Sequence, residues 1–281
     1  MQQIGQHVHA LHGRRWQSNL RRSPMDRLRV LGLAQGMNNT RKSIAVFGAG
    51  PGVGRAVARR YGQAGYDVVL VARRRGPLEE FAGELAAHGI TAHVVTADLS
   101  ETGLVPALAE RIRAKVGDPA AFYYGPAPAD PEFVDAVDLR PERLRELMPM
   151  TLYTLLALVN EFLPAMIERG DGAILNVQGA SAVQGHPHMS GWPPALAAQR
   201  NYLQSLAAEV ADQGVYVGTL YIGARIIGTA ADATFEATEA AGQPVPDMPI
   251  ADPIELAELL WTMHTDRKPR EMAFPESVLG S

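Results

Sequence analysis

The sequence predicts an α/β fold, a single doubly wound domain with a parallel sheet and helices on both faces. Three observations carry that prediction. Short β-branched, almost continuously apolar segments alternate with longer amphipathic ones along most of the chain. The first strand candidate runs directly into a glycine turn, Gly48-Ala-Gly50-Pro51-Gly52-Val53-Gly54, and from there into a helix. A length of 281 residues with 47% hydrophobic and 20% charged residues suits one large buried core.

Taken in order, Ile44 to Phe47 reads as the first strand and Arg55 to Tyr61 as the helix after the turn. Tyr66 to Ala72 is a buried strand ending in Arg73-Arg74-Arg75. A helix (Leu78 to His88), a strand (Thr91 to Thr96) ending in Asp98-Leu99, and a helix (Val105 to Val116) follow. Ala120 to Tyr124 is a short strand leading to Gly125-Pro126, and a long apolar helix is expected from Pro141 to Arg169, interrupted by Pro149 and Pro164. Ala173 to Val177 is a strand, Pro194 to Gln213 a helix, and Val215 to Ile222 a strand closed by Gly223. The stretch 225–249, rich in Ala, Gly, Thr and Pro, is a candidate lid, because ligands of doubly wound sheets lie beyond the carboxyl ends of the strands.

Composition excludes several function classes. A formal charge of −4, from 26 basic and 30 acidic residues, gives no reason to expect nucleic-acid binding. Without cysteine, disulfides, thiolate nucleophiles and cysteine-ligated metals are ruled out. No apolar stretch is read as reaching membrane-spanning length, so the expectation is a cytoplasmic protein with no membrane partner. Residues 1–40 stand apart as a basic leader: Arg14, Arg15, Arg21, Arg22, Arg27 and Arg29 face a single acid, Asp26, in the first 36 positions. Disorder, or upstream sequence ahead of a start at Met37, is the plain reading. An organelle-targeting segment, or metal binding by His7, His9 and His12, is the sharper one.

Glycine is needed in the turn because backbone N–H groups must approach a pyrophosphate closely, and the following helix N-terminus supplies a complementary partial charge. From Ser43 to about Met263 the chain resembles the short-chain dehydrogenase/reductase family, whose fold is a Rossmann-type domain. Gly48, Gly52 and Gly54 match its glycine turn, and Asp98-Leu99 matches its adenine-side pair. Gly172-Ala-Ile-Leu-Asn-Val resembles the strand that carries its serine, Gln204-Ser-Leu-Ala-Ala-Glu209 its patterned helix end, and Gly223 its late glycine. The resemblance implies that Gly48, Gly50, Pro51, Gly52, Val53, Gly54, Asp98, Leu99, Gly125 and Gly223 line a dinucleotide site. Where an acid would hold the ribose hydroxyls, this chain has Ala72 followed by Arg73 and Arg74. A guanidinium grips a phosphate with paired, charge-assisted bonds, which favours NADP(H) over NAD(H).

The family's catalytic residues are missing. Counting back from Gln204–Glu209 puts Trp192 at its tyrosine, Leu196 at its lysine and Gly179 at its serine, and Thr151 falls at its asparagine. The only lysines are Lys42, Lys115 and Lys268, so no tyrosine–lysine pair can be assembled in this helix. Substitutes are Ser181, just past Gly179; His186 and His188 in the loop before Trp192; Arg200 two turns beyond Trp192; and Tyr153 and Tyr124. Three readings stay open: an NADP(H)-dependent oxidoreductase with a rewired proton path, a non-catalytic NADP(H)-binding sensor, and a non-redox enzyme reusing the pocket. An unidentified small molecule is the expected further ligand. The resemblance also implies a homodimer or homotetramer built through the long apolar helix and the helix after Trp192.

Overall fold

The computed structural model describes residues 41–128 and 133–280, so the expectations for the leader lie outside the described residues. Ser43–Phe47 (β1), Asp67–Ala72 (β2), Ala92–Thr96 (β3), Ala121–Tyr124 (β4), Gly172–Gly179 (β5), Val215–Ile222 (β6) and Glu271–Phe274 form one sheet. The strand order is β3-β2-β1-β4-β5-β6 and then Glu271–Phe274, and every pairing is parallel. The order reverses between β1 and β4, which opens a crevice at their carboxyl ends. The glycine turn follows β1 there, and the N–H of Gly125, just past β4, donates to the Phe47 carbonyl at 3.0 Å.

The helices Val53–Gln63 (α1), Arg75–Ala87 (α2), Val105–Val116 (α3), Pro141–Met148 (α4), Thr154–Arg169 (α5) and Trp192–Glu209 (α6) alternate with these strands. Two buried clusters flank the sheet. One gathers Val57, Tyr61 and Phe81 with Leu256 and Leu260, and the other gathers Leu108, Ile112, Leu158, Phe162 and Leu203. Strands so covered on both faces need apolar residues at every position, and β1, β4 and β6 are buried throughout.

Three features depart from the sequence reading. Between α4 and α5 the chain does not break at Pro149: Pro149–Tyr153 forms one slipped π turn, so 141–169 is continuously helical over 29 residues. That helix is long and apolar enough, by length and composition, to cross a membrane, against the expectation that no such stretch exists. Its residues Leu155, Leu158, Val159, Phe162 and Met166 are spent inside the sheet cluster, as in the core helix of a globular domain. The stretch proposed as a lid holds a helix, Ala230–Ala240 (α7), and is tied at its base by a two-stranded parallel ladder, Arg225–Ile226 (β7) against Ile250–Ala251 (β8). After it come Pro253–Asp266 (α8) and the last strand of the sheet, Glu271–Phe274 (β9), neither of which the periodicity had indicated.

At the opposite end of the sheet from the crevice, the Tyr61 hydroxyl and His264 Nδ1 lie 2.8 Å apart, with Tyr66 and Trp261 edge-on to the Tyr61 ring. Burial, helped by Arg267 and Lys42 and opposed by Asp171, lowers His264 from 6.5 to about 4. Between those values the unfolded chain takes up a proton that the native imidazole refuses, so native stability is full above 6.5 and is lost as pH falls towards 4. Urea unfolding from pH 7 to pH 4 should show this His264 contribution, on the order of 1–3 kcal/mol. His264→Gln should flatten the slope in that window, and an unchanged slope would contradict the assignment.

Candidate functional site

The crevice is built first by backbone. Gly52 precedes α1 with no side-chain cap on the helix and no acid in the first turn, so its leading N–H groups face the crevice unneutralised. A Cβ on Gly54 would stand 2.1 Å from the Gly48 carbonyl oxygen, so only glycine lets the helix start pack on the turn. A Cβ on Gly52 would meet the Thr229 methyl at 2.7 Å, which places the start of α7 directly over the turn. Thr229 caps α7 by accepting from the Asp232 N–H at 3.1 Å. The sequence reading missed this residue because the threonine lies in the loosely patterned stretch 225–249.

At the far end of the crevice a cavity of about 480 Å³ is bounded by Arg73, Asp98, Leu99 and residues of α3. Asp98 Oδ1 accepts from the Ser100 N–H at 2.9 Å and its hydroxyl at 2.7 Å, and these bonds hold the carboxyl below the usual range. Arg73 and Arg74 are exposed just past β2 and have no ion-pair partner among the described residues. Arg75, next in sequence, is paired with Glu79 instead. The cradle, the cavity and the exposed guanidiniums thus suit an adenine dinucleotide, in shape and in charge.

The other end of the crevice is organised by the slipped turn. Thr154 donates its N–H to Pro149 rather than to Met150, and the carbonyls of Met150 and Thr151 take side-chain donors instead. The Tyr124 hydroxyl donates to Met150, and Gln199 Nε2 donates to Thr151. Gln178 Nε2 donates to Gln199 Oε1 at 2.6 Å, and Asn176 Nδ2 to the Tyr124 carbonyl at 2.9 Å. Trp192 Nε1 donates to Thr151 Oγ1 at 2.9 Å. The residues counted to the tyrosine and asparagine positions are therefore bonded to each other. Asn176, Gln178 and Gln199 were missed, although a signal existed: polar side chains at alternate positions of an apolar strand, and one on the inner stripe of a helix.

The substitutes are distributed unevenly. Ser181 lies in a 3-10 turn, its Oγ 3.4 Å from where a Gly179 side chain would begin, with Leu196 Cδ1 3.9 Å from that same point. Leu196 and Trp192 pack with Ala182, Tyr221, Val278 and Leu279 in an apolar cluster. Arg200 pairs with Glu271 at 3.1 Å and 3.2 Å, and its guanidinium lies over the ring of Tyr221, 5.2 Å from the centroid, at the edge of that cluster. His188, at φ 61°, stands on the rim with its side chain 80% exposed, and its Nδ1 is 2.6 Å from Asp135 Oδ1. His186 and Tyr153 are exposed as well, whereas Tyr124 is buried and burial raises its phenol far out of the acid–base range. Gly223 packs against Val278 and Ala180 at the end of β6.

The short chain dehydrogenase family model matches residues 42–240. The chain belongs to that family. A fatty acyl-CoA reductase of Mycobacterium tuberculosis is 30% identical over 190 residues, which are 66% of this chain and 64% of that protein. A short chain dehydrogenase of Pseudocercospora fijiensis is 28% identical over 187 residues, 62% of this chain and 56% of the relative. The chain thus spans somewhat more than half the length of these curated relatives. Among solved structures, L-sorbose reductase of Gluconobacter frateurii, complexed with NADPH and L-sorbose, superposes with a TM-score of 0.73 at 21% identity, over 86% of this chain and 97% of that one. An NADPH-bound short chain oxidoreductase of Pseudomonas aeruginosa, described as containing an atypical catalytic center, gives 0.71 at 22%, over 82% and 94%. At these identities the two structures speak to the fold.

Replacing Gly54 with alanine forces a methyl group into the Gly48 carbonyl, and overpacking of this kind costs about 1–3 kcal/mol. Gly54→Ala should lower the thermal midpoint and weaken nucleotide binding together. A variant that melts and binds like the parent would mean that the turn yields without strain.

Proposed function

We propose that the protein is an NADP(H)-dependent oxidoreductase of the short-chain family working through a non-standard site. The observation that carries this reading is the Ser181 hydroxyl, lying against Gly179 where the family's serine would project. The turn at Gly48–Gly54 and the N-terminus of α1 hold the pyrophosphate, and Arg73 and Arg74 hold the 2′-phosphate, which selects NADP(H) over NAD(H). The bound nicotinamide supplies or accepts the hydride. Ser181 polarises the substrate carbonyl and passes the proton between it and water. Trp192 and Leu196 do not titrate; with Val278 and Leu279 they form an apolar wall, which suits a substrate carrying a hydrocarbon chain next to its carbonyl. The names of the acyl-CoA reductases among the relatives point to the same substrate class.

A second reading, nucleotide binding without turnover, draws on a specific feature. The Trp192 indole N–H is already committed to Thr151, and the Tyr221 phenol of the apolar cluster is raised out of the useful acid–base range by burial and by its bond to Glu271. We also propose assembly as a homodimer or homotetramer, which would cover exposed apolar side chains such as Leu104, Val137 and Tyr153. Light scattering should give twice or four times the 30.3 kDa chain mass, and a monomer would contradict it.

NADPH should bind with enhanced fluorescence, and its oxidation should be driven by members of a panel of fatty aldehydes, acyl-CoA thioesters and apolar ketones. Ser181→Ala should then lower kcat by about 100-fold while leaving the NADPH Kd within twofold. Binding without turnover across the panel would select the second reading, and absence of NADPH binding would sink both.

A further inference from the structure

The cavity beyond β2 and β3 has two banks. Its floor is apolar, made by Ala97, Leu99, Val105 and Leu108. One bank carries Arg73 from the turn after β2, and the other carries Arg111, two helical turns into α3. Arg111 is anchored by one bond only, from its NH1 to the Thr96 carbonyl at 3.0 Å. Among the described residues it has no ion-pair partner, although acids are close at hand on its own helix. Glu110, its neighbour in sequence, pairs with Arg113, which also takes Asp118 and Glu161. Arg113 is thus a structural cation, over-satisfied by three carboxylates. Arg111 is pinned at one corner of its plane and otherwise open to the cavity.

A guanidinium without an ion-pair partner beside an apolar slot is a group that can receive an aromatic ring, by stacking and by cation–π attraction together. We infer that Arg111 is the stacking surface for the adenine base of the nucleotide, an inference that rests on reading this cleft as a nucleotide site. The division of labour follows from the placement of the two arginines. Arg73 follows the strand end that faces the ribose and answers the 2′-phosphate; Arg111 borders the same cavity as the apolar residues of its floor and answers the purine. Arg111 is therefore blind to the 2′-phosphate and contributes equally to phosphorylated and unphosphorylated adenine nucleotides. A lysine could not replace it, because an ammonium offers no plane.

The test is calorimetric titration of the full chain with adenosine 2′,5′-bisphosphate and with 5′-ADP, with circular dichroism to verify that each variant is folded. Arg111→Ala should raise both dissociation constants by the same factor, about tenfold, and Arg111→Lys should raise them nearly as much. Arg73→Ala should raise only that of the 2′-phosphorylated ligand. The inference is overturned if Arg111→Ala binds both ligands like the parent, if its loss is confined to the bisphosphate, or if Arg111→Lys restores binding. A parent chain that takes up neither ligand would instead overturn the nucleotide reading beneath it.

Discussion

The slip of the long helix at Pro149–Tyr153 sets a constraint that the centre of the molecule must meet. It turns backbone carbonyls into an apolar core, where an unmet acceptor costs about 1–3 kcal/mol. The donors come from across the fold: the Tyr124 hydroxyl from β4 for Met150, and the Gln199 amide from α6 for Thr151. Gln199 is itself held by Gln178 of β5, and Asn176 reaches from β5 to the Tyr124 carbonyl. A single irregularity in one helix thereby fixes the mutual placement of two strands and two helices at the site. Any substrate held there meets a wall whose position is set by hydrogen bonds as well as by packing.

If, as we propose, Trp192, Leu196 and Gly179 stand where the family has its tyrosine, lysine and serine, that network also explains how such a site is ordered. On that alignment Trp192 takes the place of a phenol, and its N–H is satisfied by Thr151 at 2.9 Å. On the same alignment Leu196 stands in place of a charge, in a cluster with Tyr221 and Ala182, while Asn176 Oδ1 and Gln178 Oε1 of the neighbouring network are buried without a hydrogen-bond partner among the described residues. Gly179 offers no side chain there, and the 3-10 turn brings the Ser181 hydroxyl to 3.4 Å from where one would begin. Each change is matched by a neighbour of suitable chemistry.

The sheet was legible in the sequence down to most strand ends, because buried parallel strands such as Val68 to Val71 have no polar alternation to confuse with another element. The glycine turn was legible for the same local reason: Gly54 must pack on the Gly48 carbonyl, and only one residue type permits it. The elements that escaped notice depend on partners remote in sequence. Arg225–Ile226 and Ile250–Ala251 are two-residue strands that exist only as a pair, and Glu271–Phe274 is a strand because β6 lies beside it. Proline at position 149 argued for a helix break, yet tertiary donors from Tyr124 and Gln199 made a continuous slipped helix acceptable. For the candidate site, composition showed which groups were gone, whereas the arrival of Ser181 beside Gly179 needed a turn geometry that no spacing encodes.

The small ladder between Arg225–Ile226 and Ile250–Ala251 bears on the segment between its strands. It closes 227–249 into a loop with fixed ends, and Arg225 also bonds Asp232 of α7, an ion pair that ties the ladder to the loop. Most of the entropy of ordering this segment has therefore been given up before any ligand arrives. If the segment serves as the lid we propose, it would close as a preformed unit, so that binding gains from closure without first having to fold the part that closes.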